Sequence, residues 1–217
     1  TIENIRNFNP TVFNRLCTVL PKGQQNILKN SVKGKFADEQ TSSYVEWQKN
    51  KGEQKGNVHI YMTKKEKHID KTFSSKNVVN ILFNSGWFEL KVAKLLSAWP
   101  KCKEVCLNCR FPFRTKIDKN EVDIIVNTGT KVLFVECKTQ ITTTTDIDKF
   151  RTVIKTYGGM GSKGLFVTDA KMDDMAKAKC EEHKILTFSL QDELLGISTE
   201  KALQLLLNSE LENINTK

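Results

Sequence analysis

The feature that most constrains the fold is a pair of neighbouring segments with the two-residue period of β-strands. Val122, Ile124 and Val126 alternate with other side chains, and an apolar run over residues 132–135 follows. The sequence Asn127-Thr128-Gly129 between them is typical of a tight turn. Because strands joined by a short turn pair antiparallel, we predict a β-hairpin at this point of the chain.

Beyond residue 76 the pattern predicts helices and strands in the order α-β-β-β-α-β-α-β-α. The predicted helices cover residues 77–96, 146–157, 172–183 and 199–211, and the predicted strands cover 104–113, 121–127, 131–138, 164–168 and 185–188. A hairpin followed by β-α-β crossovers produces a mixed sheet flanked by helices. We therefore predict an α/β fold, with one main domain over residues 77–217.

Residues 1–76 have a less regular pattern. Helical spacing appears around residues 11–20, and a short strand is predicted over residues 58–62. We predict a small irregular N-terminal region that serves as an accessory region or linker. Because the chain begins at Thr1 rather than Met, the remnant of a larger upstream domain is an alternative interpretation.

The composition favours a polyanionic partner and excludes a membrane protein. No apolar run approaches the roughly 18 residues that span a bilayer, and no signal peptide is evident, so we predict a cytoplasmic protein. Lys and Arg number 34 against 25 Asp and Glu, a formal charge of +9. This excess favours phosphate contacts, although a solvated surface explains it equally well. The same two interpretations apply to Lys149, Arg151 and Lys155 on the predicted helix 146–157.

Three of the six cysteines form a CxxxCxxC string at Cys102, Cys106 and Cys109, a spacing typical of iron–sulfur sites. In a strand, however, Cys106 and Cys109 would face opposite sides of the sheet. We therefore predict that the string is a coincidence and that the cysteines are reduced thiols.

Charged residues interrupt the two apolar strands where burial is expected. Glu136 and Lys138 end the segment 131–138 and share one face, because side chains two apart in a strand point the same way. Asp123 lies among the apolar residues of the preceding strand. An unpaired buried charge costs several kcal/mol, so these groups need partners.

Asp123 and Glu136 offer the hard oxygen ligands that Mg²⁺ prefers, with water and substrate phosphate completing its coordination. Lys138 is placed to orient or deprotonate the attacking water, or to neutralise charge that develops on the phosphate. This combination predicts phosphodiester hydrolysis.

Glu89 lies on a predicted helix, on the face that it shares with Val92, Ala93 and Leu96. A carboxylate on an apolar stripe requires a partner, and a metal ion or its bound water would provide one. The alternative is that Glu89 stabilises the helix N-terminus through the helix dipole.

These residues resemble the PD-(D/E)xK nuclease superfamily over roughly residues 78–188. The sequences Gly86-Trp87-Phe88-Glu89, Asn120-Glu121-Val122-Asp123, Phe134-Val135-Glu136-Cys137-Lys138-Thr139 and Tyr157-Gly158-Gly159 are similar to the nuclease domain of CRISPR ancillary nucleases that carry a CARF sensor domain. The resemblance implies a restriction-endonuclease-like core and catalytic residues Glu89, Asp123, Glu136 and Lys138. It implies Mg²⁺ or Mn²⁺ held by Glu89, Asp123, Glu136 and the backbone carbonyl of Cys137.

The resemblance also implies a role in antiviral defence, a DNA or RNA substrate, a homodimer, and activation by a cyclic oligoadenylate through a domain outside this chain. The chain departs from the superfamily's pattern in having no proline before Asp123. Two further interpretations stay open: a restriction- or resolvase-like DNA endonuclease, and a catalytically inactive nucleic-acid-binding module.

Overall fold

A computed structural model of the protein describes residues 1–49, 55–111, 120–139, 144–192 and 196–212. Two compact units divide the chain between Trp87 and Phe88. None of the described helices is both long and apolar enough to cross a membrane.

The first unit contains a four-stranded antiparallel sheet in the order β1-β2-β3-β4. Its helices are α1 (Ile2–Phe8), α2 (Pro10–Phe13), α3 (Lys22–Asn30) and α4 (Val78–Phe83), with a π-helical segment Asn14–Thr18 after α2, and its strands are β1 (Lys33–Ala37), β2 (Tyr44–Lys49), β3 (Gly56–Lys64) and β4 (Lys67–Ser75). The predicted helix near residues 11–20 and the predicted strand 58–62 are both confirmed. In β3, Val58, Ile60 and Met62 alternate into the core and are fully buried.

The prediction of irregular structure for residues 1–76 is wrong. The sheet was missed because β4 buries none of its side chains and β1 buries only Phe36, so neither strand carries an apolar face. The pairing of β3 with β4 extends over nine residues through backbone contacts. Backbone pairing of this kind leaves no apolar period in the sequence.

The second unit carries a five-stranded mixed sheet in the order β5-β6-β7-β8-β9. Its strands are β5 (Glu104–Phe111), β6 (Asn120–Asn127), β7 (Val132–Lys138), β8 (Ser162–Thr168) and β9 (Ile185–Ser189), and its helices are α6 (Thr145–Tyr157), α7 (Asp174–Glu182) and α8 (Thr199–Glu212). Strands β5, β6 and β7 pair antiparallel, whereas β7, β8 and β9 pair parallel. The predicted mixed α/β sheet flanked by helices is confirmed, although residues 112 and 113 of the first predicted strand lie outside the described residues.

The single helix predicted over residues 77–96 is interrupted. Helix α4 ends at Phe83, and a second helix, α5, covers Gly86–Ser97. Ser85 between them adopts a left-handed backbone conformation with φ of 62°. A helix cannot continue through a left-handed residue, and the apolar period does not reveal such a residue.

Helix α6 packs directly on the sheet in the second unit. Ile147, Phe150 and Val153 of α6 join Phe134 and Phe166 in one buried cluster. A Cβ added at Gly164 of β8 would lie 2.4 Å from Ile154 Cδ1, so the helix depends on the absence of a side chain there. The face of β7 and β8 that α6 covers is therefore the face that carries Phe134, Glu136 and Lys138.

The expectation that Cys106 and Cys109 face opposite sides of the sheet is wrong. The two thiols interact, and this contact adds to burial in raising the pKa of Cys109. Asn108 between them has φ of 52°, and a left-handed residue breaks the regular alternation of a strand.

Candidate active site

Asp123 lies where two neighbouring strands separate. The pairing of β6 with β7 ends at Ile124 and Val135, one residue before the acidic positions. Beyond that point the backbone N–H of Cys137 donates to Asp123 Oδ2 at 2.8 Å. This bond fixes the carboxylate of Asp123 against β7, within the gap that the separated strands leave.

The geometry of this gap also orients the backbone of Cys137. In an extended strand the N–H and C=O of one residue point toward the same neighbour. Because the N–H of Cys137 reaches Asp123, its carbonyl oxygen also points to the β6 side of β7. The predicted carbonyl ligand thus lies on the same side of β7 as the Asp123 carboxylate.

Glu136 and Lys138 form an ion pair on the sheet face under α6. Lys138 Nζ lies 2.7 Å from Glu136 Oε1, and the Glu136 side chain is only 16% exposed. Burial raises the pKa of Glu136 to about 7, and the nearby charge of Asp123 adds to the rise in spite of Lys138. One cation therefore does not fully compensate the carboxylates around it.

The pKa of Asp123 is raised as well. Burial raises the pKa of Asp123, although the N–H of Cys137 and the charge of Lys138 oppose the change. The charge of Asp123 in turn raises the pKa of Glu136, because an ionised carboxylate makes a neighbouring carboxyl harder to ionise. An additional cation at this place would relieve that repulsion.

Glu89 lies in the first turn of α5 and is partly buried. Burial raises the pKa of Glu89 to about 7, and the charges of Asp123, Glu121 and Glu136 contribute further. This coupling places Glu89 within the electrostatic field of the β6 and β7 acids. Its position in a first turn is equally favourable to the helix dipole, so both interpretations of Glu89 fit the structure.

Lys138 remains a cation in this environment. Burial alone would lower the pKa of Lys138, but attraction to Glu136, Asp123 and Asp146 outweighs burial and raises the pKa. The amine therefore favours donating hydrogen bonds over accepting a proton near neutral pH.

We call Glu89, Asp123 and Glu136 the acidic cluster. Two residues near it, Asp146 and Thr168, were not predicted as site residues. Asp146 in the first turn of α6 raises the pKa of Glu136 and of Lys138. Thr168 pairs in register with Lys138 across β7 and β8, and its buried Oγ1 has no hydrogen-bond partner among the described residues. The sequence signal for both was positional, since each lies near the carboxyl end of a parallel strand, where sites form in α/β sheets.

The donor set fits a hard divalent cation with an open coordination sphere. In the part of the chain that the structure describes, no three His, Cys, Asp or Glu side chains are arranged to enclose a metal ion. Mg²⁺ and Mn²⁺ need no such cage, because one or two carboxylates together with water and phosphate oxygens are enough for Mg²⁺. Within the same ranges, no hydrogen bond or ion pair engages Asp123 Oδ1 or Glu136 Oε2.

Residues 76–206 match the family model of the Card1-like endonuclease domain. Among solved structures, Can2 from Sulfobacillus thermosulfidooxidans in complex with cyclic tetra-adenylate is 22% identical, with a TM-score of 0.49 over 64% of this chain and 40% of that one. Protein VC1899 from Vibrio cholerae is 14% identical, with a TM-score of 0.47 over 66% of this chain and 37% of that one. The chain thus spans about two fifths of the length of each of these two proteins. No functionally curated protein matches the chain in sequence.

Proposed function

Because the chain belongs to the family of Card1-like endonuclease domains, we propose that it hydrolyses phosphodiester bonds of DNA or RNA with Mg²⁺ or Mn²⁺ bound at Asp123 and Glu136. The observation that carries this proposal is a pair of partly buried carboxyls, Asp123 held against β7 by the N–H of Cys137 and Glu136 paired with Lys138, whose pKa values are raised in spite of Lys138. Ionised carboxylates in such a place need a further cation. The resemblance to the PD-(D/E)xK superfamily supports a catalytic divalent metal as that cation.

Each residue of the site has a role in this proposal. Asp123 and Glu136 bind the metal through oxygens, and the carbonyl of Cys137 adds a third ligand from the β6 side of β7. Glu89 binds the metal or one of its waters. When bound, the divalent cation polarises the scissile phosphate and lowers the pKa of the attacking water. Lys138 donates hydrogen bonds to the phosphate oxygens and neutralises the charge that they gain.

The test is cleavage of labelled single- and double-stranded DNA and RNA with Mg²⁺, with Mn²⁺ and with EDTA. We expect metal-dependent cutting that Glu136→Gln abolishes. The matched control is Glu104→Gln, which removes an exposed carboxylate from β5 and should cut like the wild type. Metal-dependent cutting that survives Glu136→Gln would contradict the site assignment.

The same panel separates this proposal from its alternatives. Cutting confined to particular duplex sequences or junctions would favour a restriction- or resolvase-like DNA endonuclease. Tight binding of every substrate without cutting would favour an inactive binding module. We favour an active enzyme, because a module that only binds has no physical reason to retain partly buried carboxylates beside Lys138.

The remaining assignments extend the proposal. We propose that residues 77–217 act as the nuclease domain, that residues 1–76 are accessory, and that the protein is a cytoplasmic homodimer in antiviral defence. We also propose activation by a cyclic oligoadenylate through a domain outside this chain, since Can2 was solved with cyclic tetra-adenylate. Light scattering tests the dimer. Adding cyclic tetra-adenylate to the cleavage assay, with this chain and with any longer natural form of it, tests the activator.

A further inference from the structure

A second polar site lies on the α6 side of the sheet, away from the acidic cluster. A pocket of about 240 Å³ lies between the second half of α6, the start of β8 and the turn that leads into β9. Five of its lining residues carry basic side chains: Arg151, Lys155, Lys163, His183 and Lys184. Among the described residues, no carboxylate lines this basic pocket. Such a lining selects for an anion.

Two side-chain nitrogens of residues that line the basic pocket are buried without a partner. Arg151 Nε and His183 Nδ1 are hidden from solvent, and no hydrogen bond from the described residues reaches either atom. The His183 side chain is only 6% exposed. Most buried polar atoms are hydrogen-bonded, so two unpartnered nitrogens on residues that line one pocket favour a polar ligand at this place.

The surroundings hold His183 in place and leave the lysines available. His183 Nε2 lies 3.4 Å from Asp148 Oδ1, and Asp148 also accepts from Lys179 Nζ at 2.5 Å. Lys163 has one acidic neighbour, Glu210, at 3.9 Å. The exposed side chains of Lys155 and Lys184 complete the rim.

The basic pocket and Glu136 of the acidic cluster share one face of the sheet. Gly164, which lines the pocket, pairs with Phe134, two residues before Glu136 on the same face of β7. Helix α6 spans both places, with Asp146 near the acids and Lys155 at the pocket. Nine residues of α-helix separate these two positions by about 14 Å, which is about four base-pair steps along a duplex axis at roughly 3.4 Å each.

We propose that the basic pocket binds a backbone phosphate of the nucleic-acid substrate, a few nucleotides from the bond that is cut. The inference rests on the proposed function, because it assigns the pocket to the same substrate. Arg151 donates from the buried side with His183 beside it, and the three lysines neutralise the phosphate from the rim. The pocket thereby aligns the strand along α6 toward Glu136.

The test compares oligonucleotides of increasing length, bound to the metal-free protein in a Glu136→Gln background. The variant Arg151→Gln/Lys155→Gln should weaken binding of a decanucleotide at least tenfold, and should leave a dinucleotide unchanged. It should also reduce the slope of log affinity against log salt by about 0.7 to 0.9 for the lost phosphate. Circular dichroism verifies that the variant folds.

The control Lys94→Gln/Lys103→Gln removes the same charge from exposed lysines that do not line the pocket, and should bind the decanucleotide as the parent does. Equal losses in both double variants would overturn the proposal, since net charge would then explain them. Inorganic phosphate forms a second arm, followed by the His183 ring signals in NMR. If phosphate binds at His183 but the Arg151→Gln/Lys155→Gln variant binds the decanucleotide as tightly as its parent does, the proposal is also overturned. The pocket would then be assigned to a free phosphate.

Failure of this inference is distinguishable from failure of the proposed function. The binding experiment uses no metal and no turnover. Length-dependent binding through Arg151 and Lys155 without any cutting would support the pocket and refute the enzyme. Cutting by the wild type, together with unchanged binding of the decanucleotide by the Arg151→Gln/Lys155→Gln variant, would support the enzyme and refute the pocket.

Discussion

At the scale of single residues, Asp123 and Lys138 differ in what they contribute to the acidic cluster. Asp123 supplies a carboxylate, whereas Lys138 is a cation that competes with a metal for Glu136 Oε1. Removing the charge of Asp123 should therefore weaken metal binding, whereas removing the charge of Lys138 should not, although both changes should reduce turnover.

We predict that Lys138→Ala lowers turnover by about 10²- to 10³-fold, the typical loss of one transition-state donor. Its affinity for Mn²⁺ should be equal to or tighter than that of the wild type. Asp123→Asn keeps an acceptor for the N–H of Cys137 but removes a charge, and should weaken Mn²⁺ at least about tenfold. Titration calorimetry with Mn²⁺ measures both. Unchanged affinity in Asp123→Asn would refute its role as a ligand.

The raised pKa of Glu136 also predicts how stability depends on pH. Its pKa rises from an ordinary 4.5 to about 7 in the folded protein. The unfolded chain thus releases this proton first as the pH increases. The stability that protonated Glu136 contributes is complete below about pH 4.5, and is lost as the pH rises to about 7.

The expected loss in metal-free protein is at most about 3 kcal/mol for this carboxyl. Urea unfolding in EDTA between pH 4.5 and 7 measures it. Glu136→Gln should make the curve shallower in that window, because an amide has no proton to release while Glu89 and Asp123 still titrate. Mg²⁺ should restore stability near pH 7 in the wild type alone. A parallel pH curve for wild type and variant would show that Glu136 does not carry the effect.

At the scale of elements, the contact between α6 and β8 holds the sheet face on which the site lies. We predict that Gly164→Ala destabilises the protein by about 1 to 3 kcal/mol, the usual cost of an overpacked core. The new methyl would lie 2.4 Å from Ile154 Cδ1 and 3.3 Å from Phe150. Urea unfolding measures the change.

Gly161→Ala is the matched control, because a Cβ there meets only the carbonyl oxygen of Thr130 at 3.6 Å. Ile154→Val should recover part of the loss in the Gly164→Ala background by making room for the methyl. Equal stability of the two alanine variants would mean that α6 moves away from β8 without cost.

Elements with an apolar period were predictable from the sequence, and elements fixed by backbone geometry were not. Strands β6 and β7 bury alternating or continuous apolar side chains, so their bounds followed from the sequence within about two residues. Strand β4 buries no side chain. Ser85 and Asn108 are left-handed residues whose side chains give no clear signal, so the break between α4 and α5 and the contact of Cys106 with Cys109 were missed.

At the scale of the whole molecule, some residues of the candidate site were predictable from the sequence, and others depend on how distant segments of the chain pack together. Glu136 and Lys138 were predicted to lie together because they are two apart in one strand, and Asp123 because a short hairpin joins its strand to theirs. Thr168 and the basic pocket depend on parallel crossovers that bring β8, β9 and α6 together. The sequence predicted those crossovers but not the depth or register at which each side chain would lie.

The net charge of +9 leads to a prediction about the full chain. A protein that neutralises backbone phosphates releases counterions, so its affinity falls as salt increases. We predict that raising the salt concentration from 50 to 200 mM weakens the affinity of the Glu136→Gln variant for nucleic acid at least about tenfold. This is the loss of affinity expected when the protein neutralises two phosphates. Fluorescence anisotropy with a labelled decanucleotide measures it. Affinity that is independent of salt would show that the excess of Lys and Arg is only a solvated surface, and that contacts to bases or sugars carry the binding instead.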